Sequence, residues 1–363
     1  MEPAADAGMP VAALPPFPEA PQVVSSGGPV VAAPHVVPVF FSGDELQPKL
    51  EELLGTLATS TYWSAVTAEY GVGALTVGAS IVSTDMPPAT DDALQAWLAA
   101  QPGAGPSTLF AVYYPSTASL TIHGKKSCEQ FDGYHHDAKT TAGGAFPFAV
   151  IMRCESGPSA LDAVTKSTSH ELVEAATDPF YYTKPAFASA DRDHAAWTLA
   201  TVGEVGDMCE LESQDGVRLG GFLVQRSWSN TAAAAGHDPC LPALAEPYFA
   251  AAPIMVEDVP VDDGLGSTTK GIKVPVGESR TVDIALHSDG KTAAWRVDAK
   301  DSSAIFGGDK ELELTLDRKT GVSGDVLHLT IKALRAGAYG GSVLVLQSTL
   351  GTTSHVSFGF VAN

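Results

Sequence analysis

Basic side chains are scarce in this sequence. Its 363 residues include 21 lysines and arginines against 42 aspartates and glutamates, a formal net charge of −21. A chain this acidic repels nucleic acid and anionic membrane surfaces, so neither is expected as a partner. Cysteine is sparse too, at four residues. No two of them fall in a C-x-x-C spacing, which argues against a structural zinc site or a thioredoxin-like redox site. No apolar run approaches the roughly 18 residues that a membrane-spanning helix requires, so no membrane span is expected. The opening segment, MEPAADAGMPVAALPPFPEAPQ, has neither a basic start nor an apolar core and carries no visible export signal. It reads as a Pro/Ala-rich tether of the kind that follows a removed signal, with Met1 added for expression.

Apolar residues, by contrast, are plentiful. They make up 45% of the chain against 17% charged, which is the composition of a folded protein with a buried core rather than of a disordered one. The length suggests about two domains. Cys128 and Cys154 flank one Gly-rich stretch, and Cys209 and Cys240 flank another. Four cysteines allow three pairings, and Cys128–Cys154 with Cys209–Cys240 is favoured because each closes a loop of modest length. The competing reading is four buried free thiols. Two disulfides imply an oxidising compartment and hence a secreted or cell-surface protein.

The hydrophobic pattern divides the chain into four parts. Residues 1–30 are a low-complexity tether, 31–245 a larger domain, 246–255 an Ala/Pro-rich linker and 256–363 a smaller domain. In the larger domain, His35–Phe41, Leu75–Val82, Thr108–Tyr114 and Phe148–Met152 read as strands. Leu46–Tyr70 and residues 90–101 have helical spacing. A further helix starts at an N-cap, Ser159, and ends before Asp178-Pro179. Strands alternating with helices give an α/β or α+β layered domain. After residue 256 the pattern becomes short alternating runs separated by turn signals such as Ser288-Asp289-Gly290, as in an all-β, immunoglobulin-like sandwich. That part has no cysteine and no cluster of catalytic side chains, so it is expected to be an accessory module.

One helical segment carries chemistry: His170-Glu171-Leu172-Val173-Glu174. Residues i and i+4 project from one helix face, so His170 and Glu174 can reach the same divalent ion. Metalloproteases with an H-E-x-x-H helix use two histidines in this way and place a general base directly after the first, the position of Glu171. A carboxylate replaces the second histidine here. The donor set is therefore harder, and calcium or manganese becomes admissible beside zinc. A third ligand can come from Gly203-Glu204-Val205-Gly206-Asp207-Met208-Cys209-Glu210, through Asp207 or Glu204. Gly133-Tyr134-His135-His136-Asp137 offers further polar groups near Cys128–Cys154. The alternative for each segment is a solvated helix face, an acidic turn or a surface loop.

These segments, taken with Val36–Phe41, Tyr62-Trp63, Thr177-Asp178-Pro179 and Val224-Gln225-Arg226-Ser227-Trp228-Ser229-Asn230, occur in an order that resembles the exordium-like, or phosphate-induced, secreted proteins. The resemblance covers about residues 30–240 and omits the sandwich. It implies an extracellular location and a His-Glu helix, here read as zincin-like, but no settled reaction. The added sandwich departs from the plant members of the family and points to a bacterial secreted or surface form.

Three readings follow. The first is a secreted metal-dependent hydrolase, most simply a zinc metallopeptidase acting on a peptide or protein. In it His170, Glu174 and Asp207 or Glu204 hold the metal, Glu171 is the base, and His135 or Tyr134 steadies the tetrahedral intermediate. The second is a non-catalytic binding protein for cell-surface polysaccharide or another surface protein, with a structural cation such as calcium. The third is a metal-free glycan hydrolase that pairs Glu171 with Glu174 or Asp207 and stacks sugar on Tyr181, Tyr182, Trp197 or Trp228.

Overall fold

The computed structural model describes residues 17–140 and 142–363, so the first half of the expected tether, residues 1–16, lies outside the described residues. Its second half is not loose. Val23 and Val24 pair with Ala190 and Ser189, and Val31 N–H donates to the Ala176 carbonyl. Gly28 lies so close to the backbone of Lys184 and Pro185 that no larger residue fits there without a shift. Apolar residues such as the buried Val23 and Val31 give this stretch something to bury, which the Pro/Ala texture conceals.

The central sheet of the larger domain is built from β1 (His35–Phe41), the short β2 (Thr76–Val77) and β3 (Ile81–Ser83), β4 (Thr108–Tyr114), β5 (Gly133–Lys139) and β6 (Ala145–Met152). Its order is β2-β1-β4-β6-β5, with β3 also pairing β1. All pairings are parallel except that of β5, which runs antiparallel to β6 at the edge. Residues of β4 are buried throughout, as expected for a central strand covered on both faces. The predicted strand 75–82 is broken into β2 and β3 around Gly78, whose backbone lies against the His35 ring.

Helices cover both faces. On one lie α1 (Gln47–Thr59), α2 (Thr61–Thr67) and α4 (Ala160–Thr177); on the other lies α3 (Asp91–Ala99). The single helix expected over Leu46–Tyr70 divides at Ser60, whose backbone is extended. A Thr-Ser-Thr run has low helix propensity and hydroxyls that compete for backbone carbonyls, and Thr59 Oγ1 does donate to the Gly55 carbonyl. Ser159 does not cap α4 with its side chain. A short 3₁₀ turn over Gly157–Ser159 leads into the helix instead. The helix stops at Asp178, whose backbone (φ −140°, ψ 65°) has left the helical region before the following proline.

α4 is enclosed. It crosses β4, β5 and β6 on one side, and on the other meets a hairpin of β7 (Gly216–Leu219) and β8 (Phe222–Gln225). Leu172, Val173, Ala175 and Ala176 have no exposure. Its buried Thr168 and Thr177 turn their hydroxyls back onto Val164 and Val173 carbonyls. Both expected disulfides, Cys128–Cys154 and Cys209–Cys240, are formed, and there are no free cysteines. Loops of 26 and 31 residues' separation each stabilise the fold by roughly 3 to 4 kcal/mol through the unfolded state.

The C-terminal part is two facing sheets. One, in order β9-β12-β16-β14, holds β9 (Phe249–Pro253), β12 (Ser279–Ser288), β14 (Leu312–Leu316) and β16 (Val326–Ala333). The other, β10-β11-β18-β17-β13-β15, holds β10 (Glu257–Pro260), β11 (Thr268–Lys273), β13 (Trp295–Asp301), β15 (Thr320–Gly321), β17 (Gly341–Leu350) and β18 (Thr353–Ala362). Leu327, Leu329 and Ile331 of one sheet and Val297, Leu344 and Leu346 of the other enclose a common core. Counted over the described chain, strand outweighs helix, so the molecule as a whole is mostly β.

The expected linker, 246–255, is largely strand β9, which pairs β12 antiparallel. The two parts also share a core. Trp197, on α5 (Ala195–Thr201), lies edge-on against Phe358 of β18 at 4.7 Å between ring centroids and against Trp228 at 5.2 Å. Val345, Val356 and Phe360 belong to the same cluster as Leu172 and Val205.

Candidate metal centre

Three elements converge beside the middle of α4. The helix contributes His170, Glu171 and Glu174, strand β5 contributes His135, and the turn 203–210 contributes Glu204 and Asp207. His170 Nε2 lies 3.2 Å from Glu174 Oε2 and 3.8 Å from Asp207 Oδ1. His135 Nδ1 lies 3.6 Å from Glu174 Oε2 and 3.9 Å from Glu171 Oε2, and its Nε2 is 3.5 Å from Glu204 Oε1. Every metal ligand proposed from sequence is therefore in one cluster.

Close backbone approach makes the convergence possible. A Cβ at Gly133 would stand 2.5 Å from Glu171 Oε1, and one at Gly206 would stand 2.7 Å from Glu174 Oε1 and 2.8 Å from His170 Nδ1. Only glycine allows β5 and the acidic turn to lie this close to the helix. The turn is further tied down by its own bonds. Asp207 N–H donates to Glu174 Oε1 at 3.1 Å and Glu204 N–H to Asp207 Oδ2 at 3.3 Å. Cys209, next along the turn, is bonded to Cys240.

Gln225, at the end of β8, is a site residue that sequence reasoning did not assign. Its Nε2 lies 2.8 Å from His170 Nδ1 and donates to the Gly206 carbonyl at 2.9 Å, fixing the ring plane and the turn together. Only the packing of the hairpin on α4 brings it there.

Tyr134 is not in the cluster. Side chains alternate along a strand, so Tyr134 faces away from His135, toward Phe131 and Phe148, with its hydroxyl donating to Asp91 Oδ1 at 2.7 Å. Residues 133–137, for which a surface loop is the alternative reading, form part of the edge strand β5, and the catalytic role considered for Tyr134 is excluded by this geometry. The phenol beside the site is Tyr181, whose ring lies edge-on to His135 at 6.3 Å. Burial, then the Glu204 carboxylate, pushes it up to about 12, so it stays protonated at neutral pH. Tyr182 packs on Tyr181 and on His136 at the surface. Trp197 and Trp228 are core residues, packed edge-on against each other.

The electrostatics are those of an anionic site without a fixed counter-cation. Burial raises Glu171, Glu204 and Asp207 well above the carboxylate range. Burial acts on Glu174 in the same direction, but His170 and His135 outweigh it and hold Glu174 low. Burial likewise disfavours charge on His170, yet Glu174, Glu171 and Asp207 raise its proton affinity well above the usual value. Among the described residues no lysine or arginine is paired with Glu171, Glu174, Glu204 or Asp207. Burying several carboxylates without compensation is costly. Moreover, His135 Nε2 and Glu204 Oε1 are buried with no hydrogen-bond partner although they face each other. Two donors about 2.1 Å from a tetrahedral ion stand roughly 3.4 Å apart, which is close to the spacings in this cluster. The residues present fit a divalent cation.

No protein-family model matches this chain, and no curated protein matches it. Among solved structures, domains 1–6 of the surface layer protein SbsC match at 15% identity with a TM-score of 0.18, over 35% of this chain and 18% of that one. A chimeric titin Z1Z2 carrying a KLER peptide from decorin matches at 11% identity with a TM-score of 0.19, over 32% of this chain and 95% of that one. This chain thus spans 18% of the length of the surface layer protein. At these scores neither likeness bears on fold or function.

Proposed function

We propose that the chain is an extracytoplasmic metal-dependent hydrolase, most simply a peptidase, with its helix α4 and edge strand β5 in a zincin-like arrangement and an immunoglobulin-like sandwich attached. The two disulfides are consistent with such a location, and among the described residues no helix is long and apolar enough to cross a membrane. The exordium-like resemblance over residues 30–240 supports the same placement.

The observation that carries the reading is the position of Glu171. It stands next to a metal-fitting set, His170, Glu174 and Asp207 or Glu204, with its carboxylate 3.9 Å from His135 Nδ1 and its proton affinity raised by burial. A carboxylate tuned upward is suited to accept a proton near neutral pH. A divalent cation held there would supply Lewis-acid polarisation and an activated water. Glu171 would take the proton from that water and return it to the leaving group. His135 is placed to steady developing negative charge, and Tyr181 is a neutral O–H donor beside it. The outer edge of β5 provides unpaired backbone groups against which an extended peptide can lie. Zinc is the expected ion, and the carboxylate-rich set also suits calcium or manganese.

The test is elemental mass spectrometry of purified protein, with Glu171→Gln and His170→Ala alongside, followed by peptide cleavage assays. Stoichiometric zinc retained in Glu171→Gln, lost in His170→Ala, with cleavage abolished in both, supports the reading. Absence of metal from the wild type overturns it.

A second reading is favoured by the burial of the site. Glu171, Glu174 and Glu204 are each at most 5% exposed, and cavities of about 610 and 680 Å³ lie elsewhere, beside Phe17, Tyr248 and Met255. A closed site suits a structural cation in a protein that binds polysaccharide or another surface protein. Bound calcium without cleavage would establish that reading. The metal-free glycan hydrolase has the least support, because Glu171 and Glu174 both converge on His135 rather than facing each other across a groove.

A further inference from the structure

We infer that the cluster is built for two divalent cations, with Glu174 as the carboxylate shared between them. The inference rests on the metal-site reading above and extends it to a second ion.

Two histidines approach Glu174 from different elements, and each also faces its own carboxylate on the acidic turn. His170, Glu174 and Asp207 form one triad; His135, Glu174 and Glu204 form another. In each, one donor atom per residue falls within 4.8 Å of the others. The first triad is internally satisfied. Gln225 lies on His170 Nδ1, Asp207 N–H donates to Glu174 Oε1, and Glu204 N–H donates to Asp207 Oδ2. The second is not. His135 Nε2 and Glu204 Oε1 are each buried without a hydrogen-bond partner, in side chains only 5% and 7% exposed. One ion in the first triad leaves these two atoms unexplained, and an ion between them satisfies both.

Charge leads to the same count. Glu171, Glu174, Glu204 and Asp207 would carry four negative charges when ionised, and no lysine or arginine is paired with them among the described residues. One divalent ion leaves two charges buried, whereas two ions balance all four. Two-metal hydrolytic sites hold their ions roughly 3.5 to 4 Å apart, often bridged by a carboxylate, and clamp both the attacking and leaving oxygens. In this arrangement His135 is a ligand rather than a stabiliser of the intermediate. Glu171, adjacent to both triads, keeps the role of proton acceptor.

The experiment is metal stoichiometry of the full chain, reconstituted separately with zinc, manganese and calcium and freed of excess ion. Two equivalents per chain are expected in the wild type with at least one of these ions. Glu204→Gln and Asp207→Asn should each fall from two equivalents to one, and Glu174→Gln should fall below one. The manganese-loaded wild type should show the electron paramagnetic resonance signature of an exchange-coupled pair, lost in Glu204→Gln. One equivalent in the wild type, with an uncoupled manganese signal, overturns the second site and leaves the metal reading standing. No bound ion overturns both. Two equivalents that persist in Glu204→Gln overturn the placement of the second ion on His135 and Glu204. The wild-type count does not depend on any variant folding.

Discussion

His135 Nδ1 stands 3.6 Å from Glu174 Oε2, although one residue lies on an edge strand and the other inside a helix. Two glycines make room for this contact: Gly133 over Glu171, and Gly206 over Glu174 and His170. Gly206→Ala would place a methyl group 2.7 Å from Glu174 Oε1 and force the turn outward. We expect a loss of about 1 to 3 kcal/mol of stability and a marked fall in cation affinity. Gly105→Ala, where the nearest atom is 3.9 Å away, should change stability by no more than about 0.5 kcal/mol. Urea unfolding and calorimetric metal titration of the two variants test this; equal behaviour would refute it.

Gln225 should control affinity without controlling the fold. It holds His170 and the Gly206 carbonyl together. Loss of such an orienting partner typically weakens metal binding about 10- to 100-fold. Isothermal titration of Gln225→Ala is the measurement, and unchanged affinity would rule out an orienting role.

The stability of the cation-free protein should fall as pH rises. Glu171, Glu204 and Asp207, raised mainly by burial, and His170, raised by its carboxylate neighbours against the effect of burial, all bind protons more tightly in the folded state. Their contribution is full below the unfolded values and is lost as pH climbs through the folded ones. Glu174 has the opposite sign, but its window lies below the ordinary glutamate value of 4.5. Between about pH 5 and 8, therefore, the melting temperature of chelator-treated protein should decline, and saturating metal should flatten the decline. A rise over this range without metal would contradict the assignment.

The sandwich and the larger domain should unfold together. Trp197 is packed against both Trp228 and Phe358, so truncating it opens a cavity on both sides of the junction. Trp197→Ala should cost about 3 to 5 kcal/mol. Scanning calorimetry of the wild type should give one transition, and two well-separated transitions would show that the junction is energetically weak.

What could be read in the sequence and what could not follow physical lines. Thr108–Tyr114 is apolar from end to end because both faces of β4 are covered, so its limits agree with the structure residue for residue. The His-Glu helix and the cysteine pairing are short-range patterns and were equally legible. Strand β5 was not. Its sequence GYHHDAK is polar because it lies at the sheet edge and turns one face to the carboxylates of α4 and the acidic turn. Missing the strand also hid the alternation that separates His135 from Tyr134. Strand β9 went unnoticed because its Ala-rich run has low strand propensity and is held by its neighbour β12. Strand β18 went unnoticed because Ser354, His355 and Ser357 interrupt its apolar pattern, yet all three are buried, Ser354 and His355 bonded to Ser213 and Glu212 of the larger domain and Ser357 donating to the Ala251 carbonyl of β9. Gln225 could not be found by any local rule, since its place depends on how the hairpin docks.

The Cys209–Cys240 bond anchors the same turn that presents Glu204 and Asp207. In a reducing cytosol that anchor is missing, and one carboxylate of each triad, Glu204 or Asp207, sits on a segment free to stray. The turn acquires its fixed shape only where thiols are oxidised. On the proposed metal-site reading, loading of the centre would follow oxidation of Cys209 and Cys240. On the same reading, a newly made chain would hold metal weakly until those thiols are oxidised.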